Sequence, residues 1–499
     1  MDKLDKLDKI EAQLNKVLGL QRTNSQDSVI SFAGSINTKK AYKRFCKGLF
    51  GIGVTAEMIR QKEGEIHNIF KPSNTTTGSQ IDDGTIVGQG QENKSNRNRS
   101  RFSWVRLPID FIVGPLMLAA AEAGNIQRLN STLEYIRDIN FQDYQKETAL
   151  HKAAYKGDSS MMELLLTKGA SIEARADRGM TSLHIAAQNG HTSTVELLLT
   201  KGASIEARTD YNTTSLHIAA QNGHTSTVEL LLTKGASIKA NSWRNTPLHF
   251  AASKGHTSTV ELLLTKGASM EDTNYGNTPL HLAASNGHTS TVELLLSNGA
   301  SIETSSWRNT PLDSAARNGH TSMVELLLTK GASIDTKNFL GDTPLHVAVS
   351  NGYTSMMELL LTKGASIEAK GYESTPLYNA AQNGHTGMVE LLLTKGASIE
   401  ARTDYNMTSL HIAAMYGHTS TVKLLLMKGA SVNDINAYNN TPLHLAAWNG
   451  HTSTVELLLI KGASIEVINK SNNTPLQLAA QRDYTDVVKL LKYQAARRR

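Results

Sequence analysis

Asn277 to Glu303 read NTPLHLAASNGHTSTVELLLSNGASIE, and the order of capping, small and apolar residues in this stretch decides the fold. Pro279 stands where a helix would begin, a place at which its missing N–H costs nothing, and Thr278 before it can cap. Ala283 and Ala284 are small enough for a neighbouring helix to approach closely, and Gly287 can stop this one. A second helix over TSTVELLL sets Val292, Leu295 and Leu296 on one face at helical spacing. Gly299 ends it, and the segment beyond turns out as a hairpin finger. A single unit of this kind has nothing against which to bury its leucine face, so the pattern predicts stacking on copies of itself.

The copies are present. The threonine of the T-P-L-H frame recurs at Thr148, Thr181, Thr214, Thr246, Thr278, Thr310, Thr343, Thr375, Thr408, Thr441 and Thr474, in steps of 32 or 33 residues. Behind each comes a form of A-A-x-N-G-H, then T-S-T-V-E-L-L-L-x-K-G-A-S-I-E. This pattern resembles the ankyrin repeat throughout, and eleven tandem copies make the match specific. Pro115 to Ile136, PLMLAAAEAGNIQRLNSTLEYI, looks like a degenerate twelfth copy at the N-terminal end. The fold expected is an all-α repeat solenoid of ankyrin repeats, each a helix-turn-helix plus hairpin finger, eleven clear and one degenerate. A partly helical, partly disordered N-terminal extension precedes it. With helix layers about 8–10 Å apart, such a solenoid would curve over roughly 100 Å. The divisions are residues 1–21, an amphipathic helix or short coiled coil; 22–70, a basic helical region; 71–106, a polar basic linker; 107–146, a degenerate capping repeat; 147–491, the eleven repeats; and 492–499, a basic tail.

Composition narrows the function. Cys46 is the single cysteine, which excludes an internal disulfide and a cysteine-based zinc finger. The longest apolar run, Phe111 to Ala121, falls short of the ~18 residues that suggest a membrane span, and MDKLDKLDKI carries no apolar core of a secretory signal. An intracellular, soluble chain is expected. Residues 1–106 hold 18 Lys and Arg against 11 Asp and Glu, whereas the remaining 393 hold 33 against 34. Attraction to nucleic acid, membrane or an import receptor therefore belongs to the extension, and direct nucleic-acid binding by the repeats is not expected.

Of the 17 histidines, eight fill the TPLH slot (His151, His184, His217, His249, His281, His346, His411, His444) and eight the G-H slot (His191, His224, His256, His288, His320, His385, His418, His451). Only His67 lies outside. Histidines periodic with the backbone are expected to hydrogen-bond to loops and to the neighbouring repeat. No catalytic, cofactor or metal set is discernible, and an enzyme is not expected. The formal G-x-G-x-x-A match at Gly51 to Ala56 lacks a preceding apolar strand and a following acid.

Specificity must then lie where the copies differ. One variable position, three residues before the frame threonine, forms an aromatic ladder: Tyr211, Trp243, Tyr275, Trp307, Tyr372, Tyr405 and Tyr438, with Arg178, Leu340 and Ser471 elsewhere. Arg244 and Arg308 follow the two tryptophans. A second variable position closes the first helix and includes Tyr155, Arg317, Met415 and Trp448. The resemblance to ankyrin proteins implies that both positions face a concave, partner-binding side, and Tyr, Trp and Arg supply most interface hot spots. Asp313 and Tyr378 replace the TPLH histidine in two copies, marking either binding zones or local weakness.

In the extension, Leu7, Ile10, Leu14 and Val17 fall in a seven-residue frame that could self-associate. Lys39, Lys40, Lys43, Arg44 and Lys47 form one basic cluster, and Lys94, Arg97, Arg99 and Arg101 another; both are candidate nuclear-targeting signals. A basic-zipper reading fails, because the basic residues follow the heptads rather than precede them. The leader from Ser31 to Phe70 resembles that of fungal ankyrin-repeat proteins, some described as transcription co-regulators of secondary-metabolite gene clusters. The resemblance implies a nuclear co-regulator acting through protein partners, with a cytoplasmic scaffold or effector as the alternative.

Overall fold

The computed structural model describes residues 110–305, 309–372 and 374–498. The chain divides into two compact units, the first ending at Ser215 and described from Asp110, the second beginning at Leu216. Among the described residues there are 24 α-helices and no strand, an all-α repeat fold. Both basic clusters and the heptad segment lie outside the described residues.

Each repeat is a short first helix, a second helix (nine residues in all but the degenerate and the last copies) and a finger. Pro279–Ser285 and Thr289–Ser297 exemplify the pair. Thr278 stands in extended conformation before Pro279, and its N–H donates to the Nδ1 of His281, three residues on (3.2 Å). The hydroxyl lies 2.8 Å from the same nitrogen. Leu280, Ala283, Ala284, Val292 and Leu295 are buried, each large side chain contributing about 2 kcal/mol. Within each unit first helices pack on first helices and second helices on second helices, so the core is one continuous stripe. The degenerate copy differs at its start. Its first helix runs Asp110–Ala123 with Pro115 inside, and Gly114 lies against the ring of Phe141.

Seven first helices begin with proline, whereas Ser182, Ser215 and Ser409 occupy that position in three others. All three serine hydroxyls are buried without a hydrogen-bond partner. Thr408 before Ser409 is already extended, the conformation that a following proline demands. Ser409→Pro is therefore expected to raise stability by about 1 kcal/mol, measured by denaturant titration. A loss would show that Ser409 makes a bond in solution.

The joint between repeats is a glycine–histidine seam. Gly255 ends its helix in the left-handed region (φ 73°), and a Cβ there would stand 2.6 Å from Nδ1 of His288 in the next copy. That histidine's Nε2 in turn bonds the carbonyl of Ser253 (3.0 Å). The same seam joins Gly157 to His191, Gly223 to His256 and Gly417 to His451, whereas Gly319 and Gly450 meet Tyr353 and Tyr484 instead. Gly267, which ends a second helix at φ 88°, has open space around it. Gly255→Ala is expected to cost about 3 kcal/mol and Gly267→Ala about 1 kcal/mol, since only the first adds a clash to the backbone strain. Equal costs would mean that the seam is soft.

Candidate partner-binding surface

The TPLH histidines are buried parts of the frame. In the Thr148 repeat, Nδ1 of His151 accepts the Thr148 N–H (3.1 Å), so it carries no proton; Nε2–H donates to the Met180 carbonyl in the finger (3.2 Å). His184 bridges Thr181 and Ala207 likewise. Burial pushes His151, His184 and His411 down to about 4 and lowers His249, His281, His346 and His444 as well. A neutral ring with both nitrogens engaged has neither a proton to exchange nor a lone pair to offer. Among the described residues no cluster of His, Cys, Asp or Glu could hold a metal ion. No described helix is long and apolar enough to cross a membrane.

Asp313 fills the same slot. Its Oδ2 accepts the Thr310 N–H (2.8 Å) and hydroxyl (2.9 Å), which reproduces the cap, but Oδ1 is buried with no partner. Burial raises this carboxyl to about 6. A raised value means that its contribution is complete below the ordinary 3.8 and is lost as pH rises through 6. Asp313→Asn, which cannot ionise, is expected to gain about 2 kcal/mol over the parent near neutral pH, the difference closing by about pH 4. Denaturation at several pH values checks it. With Tyr378 in the slot there is no capping box and Thr375 caps the helix alone; Asn379 Oδ1 accepts from Ser374 Oγ (2.8 Å) and its Nδ2 donates to Ser350 Oγ of the preceding copy (3.2 Å). Both departures thus have a structural account.

The fingertips are where large rings meet solvent. In the first unit Tyr211 is exposed. In the second, Trp243 (63% exposed), Tyr275, Tyr372 (79%), Tyr405 and Tyr438 are exposed, as are Phe339 and Leu340 where the ladder lacks an aromatic. Trp307 and Arg308 lie outside the described residues. Backbone bonds set the register between fingers: Ala437 N–H donates to the Tyr405 carbonyl (2.9 Å) and Lys470 N–H to that of Tyr438 (3.0 Å). Tyr405 and Tyr438 consequently stack, centroids 6.3 Å apart at 16°.

In the second unit, two tips hold bulky residues in the left-handed region. Ser242 and Asn245 exchange both backbone bonds at 2.8 Å, leaving Trp243 (φ 49°) and Arg244 (φ 67°) as a two-residue turn in the left-handed region. Asn274 and Asn277 close the next finger around Tyr275 (φ 48°) and Gly276 (φ 86°). Such tips favour Asn-Gly, and a bulky residue there is costly. Both belong to 32-residue copies, which have one residue fewer in the finger than 33-residue copies such as Thr209 to Thr213, although Arg178 (φ 62°) in a 33-residue copy is left-handed as well. The Arg244 guanidinium lies over the Tyr275 ring, 5.6 Å from its centroid, so adjacent tips form one aromatic and cationic face.

Trp448, proposed from its place at the end of a first helix, is half-buried. The Arg482 guanidinium covers its ring at 3.9 Å. No sequence pattern signals that pairing, because the two residues belong to different copies and occupy different positions within them. Exposed Tyr416, stacked on His418 at 6.2 Å, also carried no signal in the frame.

A family model described as ankyrin repeats (3 copies) matches residues 116–209, 216–306, 267–338, 303–371, 368–436 and 410–497. The chain belongs to the ankyrin-repeat family. Its repeats are a protein–protein interaction scaffold. Over 60 residues it is 40% identical to the mouse (Mus musculus) 60 kDa lysophospholipase, covering 12% of this chain and 11% of that protein. Over 56 residues it is 38% identical to ankyrin repeat protein 14 of vaccinia virus (strain Western Reserve), 11% of this chain and 24% of the other. The match to ankyrin repeat domain-containing protein OPG023 of monkeypox virus is also 38% over 56 residues, 8% of that protein. The chain thus spans less than a quarter of each of these relatives. Among solved structures, the human ASB11 ankyrin repeat domain is similar at 29% identity, with 44% of this chain and 99% of that chain covered and a TM-score of 0.41.

Proposed function

We propose that this ankyrin-repeat chain is a non-enzymatic regulatory adaptor that binds a protein partner along its fingertip rail, on the concave side of the array. The carrying observation is the tip at Trp243 and Arg244, where two bulky residues stand exposed in a conformation that favours Asn and Gly. Strain that packing does not explain concentrates where recognition requires it. Residues Trp243, Arg244, Tyr275, Trp307, Arg308, Tyr372, Tyr405 and Tyr438 make up the rail in the second unit, and Tyr211 is the corresponding tip residue of the first; Trp448 takes part only if Arg482 swings away. Affinity purification of the full chain and of Trp243→Ala/Tyr275→Ala, with mass spectrometry, tests it. Loss of a specific partner from the variant supports the rail, and full retention of every partner removes it.

The adaptor acts in the nucleus as a transcription co-regulator. Support comes from the basic clusters at Lys39 to Lys47 and Lys94 to Arg101, and from the leader's resemblance to fungal co-regulators of secondary-metabolite clusters. Alanine at Lys39, Lys40, Lys43, Arg44, Lys94, Arg97, Arg99 and Arg101 is expected to abolish nuclear enrichment of a fluorescent fusion. A cytoplasmic distribution of the unmutated protein would instead favour a scaffold or effector that titrates partners there. Residues 1–21 supply self-association, and their deletion is expected to halve the mass in light scattering.

A further inference from the structure

The second helices carry a position that changes character late in the chain. In eight successive copies it is Thr167, Thr200, Thr233, Thr265, Ser297, Thr329, Thr362 and Thr394. Each threonine hydroxyl donates back to the carbonyl of the glutamate four residues earlier, for example Thr394 to Glu390 at 2.8 Å. In the last three copies the same position is Met427, Ile460 and Tyr493, and these side chains are 66%, 73% and 61% exposed. A single apolar residue in water is ordinary. Three in register on neighbouring helices form a row.

The charge changes with them. Earlier copies pair the lysine ending one second helix with the glutamate of the preceding copy, as Lys201 does with Glu163 (3.5 Å) and Lys363 with Glu325 (3.9 Å). By that frame Lys461 faces position 423, which is Lys423. Over residues 419–428, 452–461 and 485–497 there are six basic residues against two acids, whereas the three preceding second helices carry three of each. Lys489 is engaged with Asp486 at 3.3 Å, a fully exposed pair of little strength.

We propose that the Met427–Ile460–Tyr493 row, with its basic flanks, docks an acidic amphipathic helix of a partner protein. The spacing fits that occupant. Neighbouring second helices are held side by side, Thr419 Oγ1 lying 2.8 Å from Thr454 Oγ1, and packed helices are about 8–10 Å apart. A helix rises about 10.5 Å in seven residues. One apolar side chain every seventh residue thus meets Met427, Ile460 and Tyr493 in turn, while flanking carboxylates reach Lys423, Lys461 and Lys489. This surface is made by helices rather than fingers, and it stands independently of the fingertip rail.

The test uses the full chain and a fluorescently labelled model helix of about 20 residues, leucine at every seventh position between rows of glutamate. Micromolar binding in fluorescence anisotropy is expected, weakening with salt. It should fall at least about tenfold for Met427→Thr/Ile460→Thr/Tyr493→Thr, which restores the residue of the earlier copies and so preserves the helices. Lys423→Glu should weaken it too, and Trp243→Ala should leave it unchanged. Equal affinity for the triple variant, or no binding at all, overturns the proposal. So does binding to phosphatidylserine–phosphatidylcholine vesicles that the triple variant loses while the peptide fails to bind, an outcome that would make the strip a membrane contact.

Discussion

Lowering the pH from about 7.5 to about 5 is expected to remove on the order of 6 kcal/mol of stability through His151, His184 and His411 alone. Each ring is buried neutral, its Nδ1 accepting an N–H and its Nε2–H donating to a finger carbonyl, with the folded value pushed from 6.5 to about 4. Because the folded value lies below the ordinary one, the unfolded chain takes up the protons. The contribution is complete above about pH 6.5, shrinks as pH falls and is exhausted near pH 4. At pH 5 each site has given up about 2 kcal/mol. The four other lowered histidines act in the same direction, and Asp313 acts in the opposite one. A repeat array need not unfold in a single step, so the quantity to measure is the first unfolding transition in denaturant at several pH values. The control comes from the chain itself. Gln477 occupies the slot in the last copy and accepts the Thr474 N–H at 2.8 Å. His184→Gln should therefore fold, cost about 1 kcal/mol near neutral pH and flatten the acid slope. An unchanged slope would place the proton uptake elsewhere.

Replacing Trp243-Arg244 with Asn-Gly is expected to move stability and recognition in opposite directions. The turn has φ of 49° and 67° at these residues, a shape that Asn and Gly adopt readily, so the second unit should gain about 1–2 kcal/mol. Removing the tryptophan and the guanidinium over Tyr275 should weaken partner binding by about 2–3 kcal/mol, roughly a hundredfold. Calorimetric melting and binding to the captured partner would be read on the same variant. A stability gain with unaltered binding would leave the strained tip without a recognition role. A stability loss would mean that Trp243 packs in a way its exposure conceals.

The helices, caps and seams were legible because each is set by neighbours at fixed spacing: Thr278 with His281, Gly255 with the next G-H histidine. The ladder was legible as a position, but its backbone was not. The 32-residue step hinted at a shortened finger without saying which residue would bear the strain. The cover of Arg482 over Trp448 depends on two side chains that no periodicity relates. Met427, Ile460 and Tyr493 were readable in principle, since aligning the copies displays them. They lie on the second helices, whereas the variable positions read from the sequence are at the tips and the ends of the first helices.

The glycine–histidine seam has a consequence for how such a chain can change over generations. Where a copy presents glycine to its successor and histidine to its predecessor, any two such copies fit as neighbours, and removing or adding a whole one recreates a matched joint. The joints at Gly319 and Gly450, fitted with tyrosine, are keyed differently. Between them the chain behaves like a row of interchangeable parts, free to lengthen or shorten by one copy. The tyrosine joints mark where a particular order is held.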